Sequence, residues 1–280
     1  MGSSPRLECQ SYVKRRFAGG CGRKFVRLLF VGEMFHIFAY VLAGLAALGV
    51  AAFAFVFFVQ PLWAVPVLER LTPQVLYRVK TRAPLVALSF DDGPHPQNTP
   101  RVLGILRRYD ARATFFLIGD RAERHPDAVK AIRAGGHEIG NHYLYYRHGL
   151  VLMHSDGEFA RHLRDVERAL GLPEGRTSKP KLFRAPGGVA RASQLRRARE
   201  MGYTPALGCA YPHDPGHPPH AYMRWLITKN LAPGAIVILH DGIDNASGAI
   251  RVLPEILEEG RRRGLHFVSI GELIASGDEK

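Results

Sequence analysis

Past Pro84 the sequence alternates between short apolar runs fit for buried strands and longer stretches with helical spacing, and no other feature restricts the fold so tightly. The runs are Leu85 to Phe90, Thr114 to Ile118, His137 to Gly140, Leu182 to Ala185, Thr204 to Gly208, Ala235 to Leu239 and His266 to Ile270. Thr99 with Pro100 supplies an N-cap and first helical residue for the helix that follows the first run. Strands in such a rhythm run parallel, because each helix carries the chain back to the edge it left. About seven units suit a closed or nearly closed barrel, or a doubly wound open sheet.

Parallel barrels place their chemistry at the C-terminal rim of the strands, so the residues just after each run carry the functional reading. The first run ends in Asp91 and Asp92, the third in Asn141 and His142, the fourth in Arg184, and the sixth in His240 and Asp241. Adjacent carboxylates repel each other unless a cation neutralises one, and an imidazole nearby supplies a second ligand. Taken alone, the pair would serve equally well to open a turn before Gly93 and Pro94. The set of rim residues favours a metal-assisted hydrolase.

Four segments in order, Ser89-Phe90-Asp91-Asp92-Gly93-Pro94, Gly140-Asn141-His142, Arg184-Ala185-Pro186-Gly187-Gly188 and Leu239-His240-Asp241, resemble the motifs of the NodB homology domain, the polysaccharide deacetylases of carbohydrate esterase family four. The resemblance covers roughly Leu85 to Ile274. It implies an α/β fold, a distorted (β/α) barrel, to which the apolar runs give about seven parallel strands and the charge-free run ahead of it one N-terminal transmembrane helix. It further implies that Asp92 and His142 bind a divalent metal, zinc first with cobalt or nickel as alternatives, while Asp91 is the base that activates water. Arg184 would orient Asp91, the backbone N–H of Gly187 would stabilise the oxyanion, and His240 would protonate the departing amine. The implied substrate is an N-acetylated polysaccharide, with an O-acetyl ester as a variant.

Two departures stand out. The family's second motif carries another histidine four residues after the first, and that position is Tyr146. His148, six residues on, is taken as the third ligand from an irregular loop, with a tyrosinate at Tyr146 and the more distant His154 as alternatives. The fourth motif is replaced by Tyr211-Pro212-His213-Asp214-Pro215, in which Asp214 either orients His240 or opens a turn. His213, His217 and His220 could suggest a second metal, but their prolines and irregular spacing favour a substrate-facing loop.

The net charge of +13 would suggest nucleic acid if it covered one face. Instead, seven basic residues against Glu8 alone precede Leu28, and the rest of the excess is scattered. Ile37 to Val59 then runs without a charge, long enough to span a bilayer as a helix and too long for the core of a signal peptide. The basic leg places the N-terminus in the cytoplasm and the barrel outside. The organisation expected is a leg over 1–36, a transmembrane helix over 37–59, a linker over 60–84 and a catalytic domain over 85–276. No nucleic-acid partner is expected, because the basic leg lies on the inner side and the barrel lacks a stacking platform. Of three cysteines, only Cys209 falls in the exported part, which excludes a disulfide within it. The alternative to an enzyme is a glycan-binding or scaffold protein that keeps the fold without turnover, supported by the histidine missing at Tyr146.

Overall fold

The computed structural model describes residues 21–145, 150–173 and 180–277. The chain divides into two units, Met1–Phe57 and Phe58–Lys280. In the first, a helix runs over Cys21–Val59. Its part Phe38–Val59, 22 residues of mean hydropathy 2.5, is the one helix among the described residues long and apolar enough to cross a membrane. Every residue from Phe38 to Phe53 is exposed, so the apolar surface covers all faces rather than one stripe.

The second unit is α/β. Its seven strands are β1 (Leu85–Gly93), β2 (Thr114–Leu117), β3 (Glu138–Asn141), β4 (Lys181–Phe183), β5 (Tyr203–Pro205), β6 (Ile236–His240) and β7 (His266–Val268). All pair in parallel, in the order β5-β4-β3-β2-β1-β6, with β7 also on β1. Each falls on one of the expected apolar runs. Leu76 bridges Ala206, and Ala210 bridges Val237 of β6, so the segment after β5 links the two ends of the strand order. That closure makes a distorted barrel and removes the open doubly wound alternative.

Strand side chains alternate between the two faces, and the apolar contacts show which is which. Val86, Leu88, Phe90, Phe115, Leu117, Val237 and Leu239 pack outward beneath the helices. Ala87, Phe116, Leu182 and Ile236 pack together on the other face, in the barrel interior. Carried onward in steps of two, the inner rows arrive at Asp91, Arg184 and His240. Asp92 should then point outward, but it adopts φ 67° and the β1–β2 register slips between Phe90 and Gly93. This bulge lets two consecutive carboxylates serve one rim.

The helix after β1 begins at Asn98, one residue before the expected cap. Thr99 is drawn elsewhere: its hydroxyl accepts from the His95 amide at 2.9 Å and donates to the buried Asp241 carboxylate. The stretch before β1 adds to the barrel, with Tyr77 and Val79 buried.

On β3, Gly140 faces the ring of buried Phe116, and a Cβ there would lie 2.6 Å from a ring carbon. Gly140→Ala therefore overpacks the interior and should destabilise the fold by about 1–3 kcal/mol. Chemical denaturation reads this as a lower midpoint at unchanged slope, and an unaltered midpoint would show that the ring yields freely.

Candidate active site

Arg184 follows β4 and is almost fully buried. Its Nη1 donates to Asp91 Oδ1 at 2.6 Å and to Ser89 Oγ at 2.8 Å; Nε donates to the Ala206 carbonyl and Nη2 to the Leu207 carbonyl, each at 3.0 Å. The guanidinium lies 4.0 Å from the centroid of the Phe116 ring. A planar fork of donors is thus satisfied on every side, which lysine could not reproduce. Asp91 is held to one orientation, with its Cα opposite that of His240 across β1 and β6.

His142 follows β3. Its Nδ1 donates to the Arg184 carbonyl at 2.8 Å, which turns Nε2 toward Asp92 Oδ1, 3.2 Å away. Burial resists ionisation of Asp92, but the His142 hydrogen bond and charge outweigh it and hold its carboxyl below the usual range. Asp92 itself is pinned through its backbone. Arg121 donates to the Asp92 carbonyl at 2.8 Å and also to the Gly242 carbonyl. Gly242 packs so closely that a Cβ there would lie 1.9 Å from the Asp92 carbonyl carbon.

On the opposite side, Asp214 takes both polar groups of His240: the backbone N–H donates to Oδ2 at 2.8 Å and Nδ1 lies 3.0 Å from Oδ1. Burial disfavours a charged imidazole, yet Asp214, with Asp91 and Asp92 beyond it, raises His240 to about 9. The group therefore stays protonated through neutral pH, and the stability it contributes is lost as pH rises through about 9. The Tyr211 ring lies 5.7 Å from the His240 ring. Asp241 is fully buried, and burial pushes its carboxyl up to about 7. Its Oδ2 takes the Thr99 hydroxyl while Oδ1 has no hydrogen-bond partner among the described residues.

Of the residues singled out in the sequence, Asp91, Asp92, His142, Arg184, Asp214 and His240 thus meet at one rim. Gly187 lies on the exposed turn after Arg184 at φ 67°. Tyr146 and His148 lie outside the described residues. His154 Nδ1 is 2.7 Å from the hydroxyl of Tyr143, which also lies 2.8 Å from His162 Nδ1, and among the described residues His154 does not join Asp92 and His142 in a group of three metal-ligating side chains. The three downstream histidines do not cluster, since His213 sits by Tyr211 and Gln60 while His220 pairs with Glu255 at 2.7 Å. Sequence reading missed Ser89, a lone hydroxyl in an apolar run, along with Arg121 and Gln60. Gln60 brackets the Tyr211 backbone, its Nε2 donating to the carbonyl at 2.5 Å and its Oε1 accepting from the amide at 2.8 Å.

Asp92 and His142 have the chemistry of two metal ligands, and the Arg184 carbonyl gives His142 the outer support such ligands carry. Among the described residues no group of three His, Cys, Asp or Glu side chains could hold a metal ion. The donor set that is described fits a divalent cation in kind and falls one short in number.

Arg184→Lys keeps the charge but strands buried acceptors, and should destabilise the fold by at least about 2 kcal/mol. Denaturant titration measures this; a loss near zero would mean that the fork is not what holds the rim.

Comparison with known proteins gives one consistent answer. The family model "Polysaccharide deacetylase" matches residues 78–206, an interval that ends before Asp214 and His240. A peptidoglycan-N-acetylglucosamine deacetylase of Bacillus cereus is 37% identical over 205 residues, covering 72% of this chain and 94% of its own. A crystal structure of a peptidoglycan N-acetylglucosamine deacetylase superposes with a TM-score of 0.66 at 26% identity, over 74% of this chain and 95% of the other. The fold is shared as well with a CE4 family pseudoenzyme from Bacillus anthracis, at a TM-score of 0.64 and 23% identity, over 76% of this chain and 73% of that one.

Proposed function

Since this chain belongs to the polysaccharide deacetylase family of hydrolases, we propose that it removes N-acetyl groups from an extracytoplasmic glycan, peptidoglycan foremost, as a membrane-anchored and metal-dependent enzyme. The observation that carries the reading is the pair of oriented couples, Arg184 on Asp91 and Asp214 on His240, flanking Asp92 and His142. In this reading Asp92 and His142 hold the cation with a ligand from residues 146–149, His148 or Tyr146. A bound divalent cation lowers the pKa of water toward neutrality and polarises the acetamide carbonyl.

The chain's own groups do the rest. Asp91, fixed by Arg184, takes the proton of the attacking water as its oxygen bonds to the carbonyl carbon. The Gly187 amide donates to the developing oxyanion. Protonated His240, oriented by Asp214, gives its proton to the nitrogen as the carbon–nitrogen bond breaks, leaving the free amine and acetate. The apolar segment Phe38–Val59 and the basic leg before it support a single span with the N-terminus in the cytoplasm and the barrel outside. The organisation proposed is a leg, 1–36, a span, 37–59, a connecting stretch, 60–84, and a catalytic domain, 85–276.

A second reading rests on Tyr146 standing where the family has a histidine: a glycan-binding protein that has lost turnover. Acetate release from peptidoglycan and chito-oligosaccharides, with zinc, cobalt or nickel added back, separates the two. Release in none of these, with no metal retained on dialysis, favours the second reading.

Asp91→Asn should lower turnover roughly 100- to 10,000-fold with metal content retained, and His142→Ala should remove both. Full turnover in Asp91→Asn would exclude it as the base. Asp214→Asn removes the charge that holds His240 protonated, so the alkaline limb of the pH–rate profile should move to lower pH. An unmoved limb would mean that some other group supplies the proton.

A further inference from the structure

Immediately after the apolar segment, a short 3-10 turn over Leu62–Ala64 runs into the helix Val65–Leu71. Ala64 and Val65 are buried against the barrel, while Trp63, Val67 and Leu71 are 65%, 49% and 73% exposed. Their spacing of four residues places them on one face, a row of large apolar side chains turned to solvent. The row is not on a loose tether. Tyr222 OH donates to the Phe58 carbonyl at 2.8 Å, Lys229 to the Val59 carbonyl and Asn230 to the Gln60 carbonyl at 3.3 Å, while Gln60 brackets the Tyr211 backbone.

We propose that the Trp63–Val67–Leu71 face rests on the outer surface of the lipid bilayer, giving the catalytic domain a second membrane contact beside the span. The inference rests on the anchor reading above and adds to it. Two observations name lipid as the occupant. The first is continuity: the 22 residues Phe38–Val59 rise about 33 Å as a helix against an apolar layer of about 30 Å, so Gln60, bonded to the last of them, emerges at headgroup level whatever tilt the span takes. The second is composition, since a tryptophan followed by aliphatic residues on one helix face, with Arg70 exposed beside them, suits the interfacial zone. Because Gln60 also holds Tyr211, whose ring adjoins His240, a domain seated this way works on glycan presented at the membrane surface.

Leu71 decides the matter, because Trp63 lies near the bilayer through its position in the chain alone. From Trp63 through the turn and the helix to Leu71 is about 12 Å, so Leu71 stays at headgroup depth only if this face lies along the membrane. The chain has two tryptophans, Trp63 and Trp225. In the full-length chain, reconstituted into phosphatidylcholine and phosphatidylglycerol vesicles, Trp225→Phe isolates Trp63, and Trp63→Phe with Trp225→Phe and Leu71→Trp isolates the far end of the row. Lipids brominated high on the acyl chains should remove most of the emission of both reporters. An unquenched reporter at position 71 overturns the proposal, whether its emission is that of water or is blue-shifted by a second protein copy. Failure of the chain to float with vesicles in a density gradient is a separate result, and refutes the anchor reading itself.

Discussion

The guanidinium of Arg184 is the group on which the rest of the rim depends. A buried cation of this size is tolerable only when its charge is matched and its donors are occupied, and here one carboxylate, one hydroxyl and two carbonyls do both. These partners come from β1 and from the segment after β5, while its own carbonyl takes the imidazole of His142 from the end of β3. One residue therefore draws three parts of the barrel to a common point. The Asp91 it fixes is the residue to which the proposed chemistry assigns the first proton.

Charge at the rim is arranged in opposed couples. Asp91 faces Arg184, Asp92 faces His142 and His240 faces Asp214, so each of these buried carboxylates has a basic side chain within hydrogen-bond reach. Asp241 stands apart, with one oxygen unpartnered among the described residues and a carboxyl raised toward neutrality by burial. Its remaining oxygen takes the Thr99 hydroxyl, and Thr99 receives the His95 amide, which links the turn after β1 to the end of β6. The corner that carries Asp91 and Asp92 is braced from both neighbouring strands.

The architecture was legible in the sequence because a parallel barrel writes itself locally, as apolar runs of strand length at regular intervals. All seven strands fall on those runs. The rim residues were legible because function at the ends of such strands replaces apolar residues with ionisable ones. What could not be read depended on distant contacts or on backbone shape. Nothing local marks Asp214 as the partner of His240, 26 positions away, rather than the opener of a turn beside Pro215. Nor does period-two alternation predict that Asp92 breaks step through a left-handed φ. Thr99 has the composition of a helix cap and yet serves Asp241, because a buried carboxylate is the stronger claimant for its hydroxyl.

The Tyr143 hydroxyl, shared between His154 and His162, has an effect beyond its own neighbourhood. Together with Gln194, which donates to the carbonyls of Val151 and His154, it ties Tyr143, just past β3, to residues 151–162. These bonds hold Tyr143, His154, His162 and Gln194 together without calling on any ionisable group of the rim. A change among the ionisable groups of the rim can thus leave this part of the scaffold standing.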